Sequence, residues 1–289
     1  MKKIKVLKFG GTSLNDEHTR QHVMNIISKE SQNYRLVVIV SAIGRAPHPY
    51  ATDTLLYLGN RLNSKDLDAL LSCGETIACS VLCNECLSRN ISCCCVNYTE
   101  NGIKTNTNYL DGEILDINSD DLYCYLKKYD VVIVPGFFGT NKFHFVTSLG
   151  RGGSDLSAVA IAFSLGLNEV TIYKDVLGVY STDPKQYENA LLYNYINLNQ
   201  LVELAYFHNP ILAYKACLFA LNHHMTIHLK STFKEGSVTH ISKNWNNQKF
   251  LIPYKSHLFY FDENTNILDL GDEISLKDAH YVIIEEKLS

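Results

Sequence analysis

Two glycine-bearing strings in this sequence have the residue types to work on an anion. In Lys8-Phe9-Gly10-Gly11-Thr12-Ser13 a predicted strand runs into two glycines and then toward a helix. Glycine lets a backbone approach an anion, a helix N-terminus offers it unpaired N–H groups, and Lys8 adds a full positive charge. The string lacks the G-x-x-x-x-G-K-[ST] order of a phosphate loop, and a plain turn with a surface lysine would account for it equally. The second string is Gly150-Arg151-Gly152-Gly153-Ser154-Asp155, which opens another predicted helix. Arg151 can hold a carboxylate or phosphate through two parallel hydrogen bonds. A tight turn explains these glycines but leaves Arg151 and Asp155 unexplained.

Two further strings carry weaker signals. Gly74-Glu75-Thr76 sets an acid between apolar stretches, with Gly74 allowing close approach of a ligand. Lys174-Asp175-Val176-Leu177-Gly178-Val179-Tyr180-Ser181-Thr182-Asp183-Pro184 follows a predicted strand. Loops at the carboxyl ends of strands are where open α/β sheets bind ligands, although a long polar loop would read the same way. Cys83 and Cys86 have C-x-x-C spacing, which could be half of a zinc or redox site. However, Cys79, Cys83 and Cys86 fall at helical spacing in an apolar segment, and no second ligand pair has zinc spacing. No metal site is therefore expected. His223, His224 and His228 fit a surface turn and a strand.

The elements that must position these residues alternate. Strands are predicted at 4–9, 36–40, 91–96, 130–134, 169–173 and 225–229. Helices are predicted at 16–30, 53–62, 66–89, 155–165, 198–207 and 211–221, with Thr12 or Ser13 as a first cap. The run Leu36 to Val40 is apolar throughout, as in a strand buried on both faces of a parallel sheet. The fold class is α/β, a three-layer αβα sandwich with a mostly parallel central sheet. After Ser231 the texture changes: 243–249 is polar, 250–261 aromatic and strand-like, and 280–285 one more strand that would join the main body or a partner chain.

With 289 residues, 46% of them hydrophobic, the chain can bury a full core and needs no disulfide or metal staple. Its 26 basic against 30 acidic residues give no basic field, so nucleic acid is excluded as a partner class. No apolar run reaches the ~20 residues of a membrane span, and the N-terminus does not read as a signal peptide. Nine cysteines without an export signal point to a reducing, cytoplasmic setting.

In this combination and order, the strings Lys8 to Ser13, Val40-Ser41-Ala42, Cys73-Gly74-Glu75-Thr76 and Leu149 to Asp155 resemble the amino acid kinase fold and, within it, the aspartate kinases. Pro49-Tyr50-Ala51-Thr52-Asp53-Thr54 resembles their single-function Bacillus-type members. The resemblance covers about Lys2 to Phe233. It implies phosphorylation of the side-chain carboxylate of L-aspartate by ATP with Mg²⁺, the step that opens the route to lysine, threonine, methionine and diaminopimelate. It also implies a homodimer. By the same resemblance, Lys8, Gly10 and Gly11 would hold the transferring phosphoryl group. Ser41, Thr52, Glu75, Arg151 and Ser154 would bind aspartate, with Arg151 on the α-carboxylate and Glu75 near the ammonium. Asp155 would orient Lys8 or assist the phosphates, and Asp175, Tyr180 and Asp183 would line the nucleotide.

The departures from that pattern cluster on the nucleotide side. Lys174 stands where the family has Thr or Ser, Lys185 follows Asp183-Pro184 where it has Arg, and His208-Asn209-Pro210 replaces a lysine-bearing string. Asn97 to Gly102 is a degraded Thr-Gly-x-Gln-x-Gly. Lys174, Lys185 or Lys215 could supply the missing charge. A same-fold kinase for another amino acid or small acid, or a non-catalytic binding subunit, remain alternatives. Domain limits are read as a catalytic core, 1–233, and a C-terminal extension, 234–289. The family's paired ACT regulatory domains need more than these roughly 55 residues, so ACT-based feedback is not expected.

Overall fold

The computed structural model describes residues 2–206, 211–254, 257–264, 266–272 and 275–280. Its centre is an eight-stranded sheet, in the order Tyr195–Asn197, Val238–Ser242, Thr226–Ser231, Glu169–Lys174, Lys3–Phe9, Tyr34–Val40, Val131–Pro135 and Cys93–Cys95. Neighbours run parallel throughout, except Thr226–Ser231 against Val238–Ser242. The register sets Lys8 beside Ile39 on one side and Ile172 on the other. Alternate side chains feed two apolar layers, as the two-residue strand period requires. Leu7, Phe9, Val38, Val40 and Ile133 meet helices Glu17–Ser31 and Ser64–Ser88. Val6, Val37, Ile39, Val132 and Val134 meet the opposite layer, which includes helices Gly153–Ser164 and Tyr214–Asn222. The αβα sandwich expected from the strand–helix alternation is present.

Several boundaries move for identifiable reasons. Thr12 and Ser13 lie within a short 3₁₀ turn, Gly11–Leu14, and the helix after it is capped by Asp16, whose carboxylate accepts from the Thr19 N–H. Helix Thr52–Leu58 stops at Gly59, short of the expected Leu62. Helix Tyr214–Asn222 begins after the extended residue Ala213 rather than at Ile211. A second sheet escaped the sequence reading. Its strands Ile103–Thr105, Ile114–Ile117, Phe138–Thr140 and Val146–Ser148 are three or four residues each, too short to display a period.

One helix, Ser64–Ser88, has the length and apolar character of a membrane span. It nevertheless buries Asp68 and Glu75 against the protein interior, and its cysteines Cys79, Cys83 and Cys86 pack as small apolar groups in the core. Beyond Phe233 the chain first returns to the central sheet as Val238–Ser242. It then forms an antiparallel sheet of Phe250–Tyr254, His257–Phe261 and Ile267–Asp269, followed by helix Leu276–His280. The strand expected at 280–285 lies, apart from His280, outside the described residues.

Candidate functional site

Lys8, at the carboxyl end of a central strand, is only 3% exposed, and its Nζ lies 2.6 Å from Asp155 Oδ1. Asp155 stands in the first turn of helix Gly153–Ser164, where the positive end of the helix dipole favours a carboxylate. Its other oxygen, Oδ2, accepts from Lys174 Nζ at 2.8 Å. One buried carboxylate thus holds two ammonium groups at the ends of adjacent strands. Burial alone would raise the Asp155 pKa, but Lys174 and Lys8 outweigh it and hold the group below the usual carboxylate range. Burial lowers Lys8 to about 8, against the opposing pull of Asp155. The result is a preformed positive site with one excess charge, suited to an anion that arrives between the two lysines.

The glycines beside it do different work from one another. A Cβ on Gly10 would find its nearest neighbour, Lys8 Nζ, 3.8 Å away, in ordinary van der Waals contact, so this glycine is not required by packing and its backbone lies next to the ammonium. A Cβ on Gly11 would lie 2.4 Å from the Ala42 carbonyl oxygen. Gly11 is therefore required by the close packing of its loop on residues 42–44, fixed by the Gly44 N–H donating to Gly11 O at 3.0 Å. Gly74 is likewise a packing glycine: a Cβ there would meet Tyr50 O at 2.8 Å and Ala42 Cβ at 2.9 Å. The close approach expected at Gly74 is made by the protein's own loop.

Glu75 is 1% exposed in the middle of its helix. Its Oε1 accepts from the Ala42 N–H at 3.1 Å, while Oε2 is buried with no hydrogen-bond partner among the described residues. Burial pushes its pKa up to about 8. An orphaned carboxylate oxygen of this kind is costly unless a cation completes it. Ser41 Oγ donates to Ser154 Oγ at 2.9 Å, which joins the end of strand Tyr34–Val40 to the start of helix Gly153–Ser164. Thr52 begins helix Thr52–Leu58. Arg151 is exposed on the turn between Gly150 and Gly152, both at positive φ, and makes no hydrogen bond or ion pair among the described residues.

Behind this turn stands a carboxylate the sequence reading missed. Asp68 is fully buried, and its Oδ2 accepts from the N–H groups of Leu110 and Ser148, each at 3.0 Å. It anchors the small sheet that leads into Leu149 and Gly150. Nothing in its local sequence distinguishes Asp68 from a solvated helix acid.

A cavity of about 330 Å³ opens beside Lys174. Lys174, Asp175, Tyr180, Asp183 and Lys185 line it, as the loop position suggested. Thr182, from the same string, lines it too, and so do Arg45, from the loop after Ala42, and Phe250 and Ile252, none of which the sequence assigned to a site. Thr182 is 3% exposed with its hydroxyl unpartnered among the described residues. Asp183 is occupied by its own loop, accepting from Lys185 N–H at 2.9 Å and Gln186 Nε2 at 3.2 Å. Lys215 is not at this cavity. Its ammonium is spent on Asp111 Oδ1 at 2.5 Å and on the Leu149 carbonyl at 3.2 Å. His208, Asn209 and Pro210 lie outside the described residues. Among the described residues no group of three or more His, Cys, Asp or Glu side chains is arranged to hold a metal ion.

Against this geometry the comparisons with known proteins are consistent. The pattern of the Amino acid kinase family matches residues 3–231. Aspartokinase 1 of Bacillus subtilis is 33% identical over 84% of this chain and 61% of its own length. The aspartokinase of Geobacillus stearothermophilus is 31% identical over 95% of this chain and 67% of its own. The chain thus spans about three-fifths to two-thirds of the length of these relatives. The crystal structure of E. coli aspartokinase III in complex with aspartate and ADP superimposes with a TM-score of 0.73 at 22% identity, covering 86% of this chain and 68% of that one. At that identity the likeness speaks for the fold.

Proposed function

Because the chain belongs to the amino acid kinase family, we propose that it transfers the γ-phosphoryl group of ATP to the side-chain carboxylate of L-aspartate, giving 4-phospho-L-aspartate. The observation that carries this reading is the buried Lys8–Asp155–Lys174 cluster at the strand ends. A carboxylate acceptor is already ionised at neutral pH, so the reaction needs no strong base. Its obstacle is repulsion between two anions, and the remedy is positioning plus positive charge on the phosphoryl oxygens.

On this reading Lys8 and the open backbone at Gly10 receive the transferring group, and Asp155 keeps Lys8 and Lys174 aimed. The nucleotide occupies the cavity lined by Arg45, Lys174, Tyr180 and Thr182. Aspartate binds on the other side of Lys8. The exposed Arg151 pairs with its α-carboxylate. The orphaned Oε2 of Glu75 takes its ammonium, and Ser41, Thr52 and Ser154 complete the pocket. Mg²⁺ fits as a companion of the phosphates rather than in a cage of protein ligands, since Asp155 is shared by two lysines and Asp175 is the exposed carboxylate at the cavity. When bound it would neutralise phosphate charge. The product belongs to the aspartate-derived route toward lysine and threonine.

The test is turnover with ATP·Mg²⁺ and a panel of amino acids, trapping any acyl phosphate with hydroxylamine. Aspartyl hydroxamate is expected. A hydroxamate of a different acid would move the reading to another acceptor, and no hydroxamate with no ADP binding would remove it.

A further inference from the structure

The apolar end of the nucleotide cavity is built from two distant parts of the chain. Leu204 and Ile211 come from the body, whereas Phe250 and Ile252 come from the C-terminal segment. Phe250 is 1% and Ile252 6% exposed, so both are packed in place. Polar contacts hold the segment there. Gln200, fully buried, donates to the Gln248 carbonyl at 2.5 Å and accepts from the Gln248 N–H at 2.8 Å. Tyr193 OH donates to the Lys249 carbonyl at 2.5 Å. Leu251 N–H donates to Ser181 O at 2.9 Å, which attaches the segment directly to the loop that carries Tyr180, Thr182 and Asp183. At the same residue, His280 Nε2 and Ser181 Oγ are hydrogen-bonded at 2.7 Å, and the His280 ring packs on Tyr187 at 4.4 Å.

The nucleotide loop is therefore held at Ser181, through both its carbonyl and its hydroxyl, by residues that follow the family-matched span of 3–231. The charged end of the cavity, with Arg45 and Lys174, suits phosphates. Its apolar end, with Tyr180, Phe250 and Ile252, suits a flat heteroaromatic ring. We propose that the C-terminal segment is a structural wall of the nucleotide site, with Phe250 and Ile252 receiving the base and His280 fixing the 180–183 loop through Ser181. This deepens the reading above and rests on it.

The experiment compares ADP with inorganic pyrophosphate, which has phosphates but no base, by calorimetry on the full chain in Mg²⁺. Ile252→Ala is expected to weaken ADP about tenfold and to leave pyrophosphate within twofold. If Ile252→Ala does not fold, Ile252→Val carries the same comparison with a loss of about threefold. His280→Ala is expected to weaken ADP about threefold, with His280→Gln, which can still bond Ser181, restoring part of it. ADP affinity unchanged in the folded Ile252 variant, or pyrophosphate weakened equally, would overturn the proposal. A wild-type chain that binds no ADP would overturn both this proposal and the kinase reading. One that binds ADP but yields no hydroxamate would overturn the kinase reading alone and leave the wall standing.

Discussion

The two sides of Lys8 are built on different plans. On the Glu75 side, polar groups are buried and held by hydrogen bonds: Glu75 by the Ala42 N–H, Ser154 by the Ser41 hydroxyl, and the approach to Gly150 by Asp68. On the Lys174 side, charges such as Asp175, Lys185 and Arg45 are exposed, and the loop is held by packing and hydrogen bonds from the C-terminal segment. A buried polar group tolerates few replacements, because losing a partner leaves an unsatisfied charge. An exposed charge can be moved along a loop at little cost.

The comparison can be broken most sharply at the shared centre. Lys8→Met should lower kcat about a thousandfold, because a desolvated ammonium facing the phosphoryl oxygens is among the largest contributors to such a step. A loss under tenfold in the hydroxamate assay would show that Lys174 alone suffices. Arg151→Ala should cut kcat/KM for aspartate about a hundredfold by removing a bidentate carboxylate contact, with the KM for ATP unchanged. If the ATP KM moves instead, the assignment of sides is reversed. Lys174→Thr should raise the KM for ATP about tenfold and leave that for aspartate alone. Equal effects on both would mean that Lys174 acts through Asp155 on the whole site.

Proton linkage offers a finer test on the Glu75 side. Free Glu75 has its pKa pushed up to about 8 by burial, so below that pH it is protonated and must lose its proton to pair with an ammonium. Aspartate affinity should then rise with pH, by up to about tenfold from pH 6.5 to 7.5, and flatten above 8. Calorimetry in buffers of differing ionisation enthalpy should register the released proton. A flat profile would show Glu75 ionised without ligand. The smallest effect is expected at Lys185, where Lys185→Ala should change ATP KM less than threefold, since its side chain is exposed.

The sequence made the central layer legible because strands such as Leu36 to Val40 and helices such as Gly153–Ser164 are apolar or largely apolar runs bounded by turn residues. The small sheet was hidden because its strands turn over within three or four residues. Lys8, Glu75 and Asp155 stood out through their glycine neighbours, although two of those glycines, Gly11 and Gly74, turn out to serve loop packing. Asp68, Arg45 and Ile252 could not have been found this way. Their importance depends on which residues far along the chain fold against them, and no local pattern encodes that.

Asp68 and Glu75 ride on one unbroken helix, seven positions and so two turns apart. One pins the sheet that leads toward Arg151; the other stands by Ala42 with an oxygen to spare. The spacing between Glu75 and the strand end at Ser148 is thus inherited from helical rise, ~1.5 Å per residue. The helix works as a gauge block. On the proposed reading it helps set the seat of the acceptor's α-carbon groups, and the reach of the acceptor's side chain is then measured from that seat to Lys8.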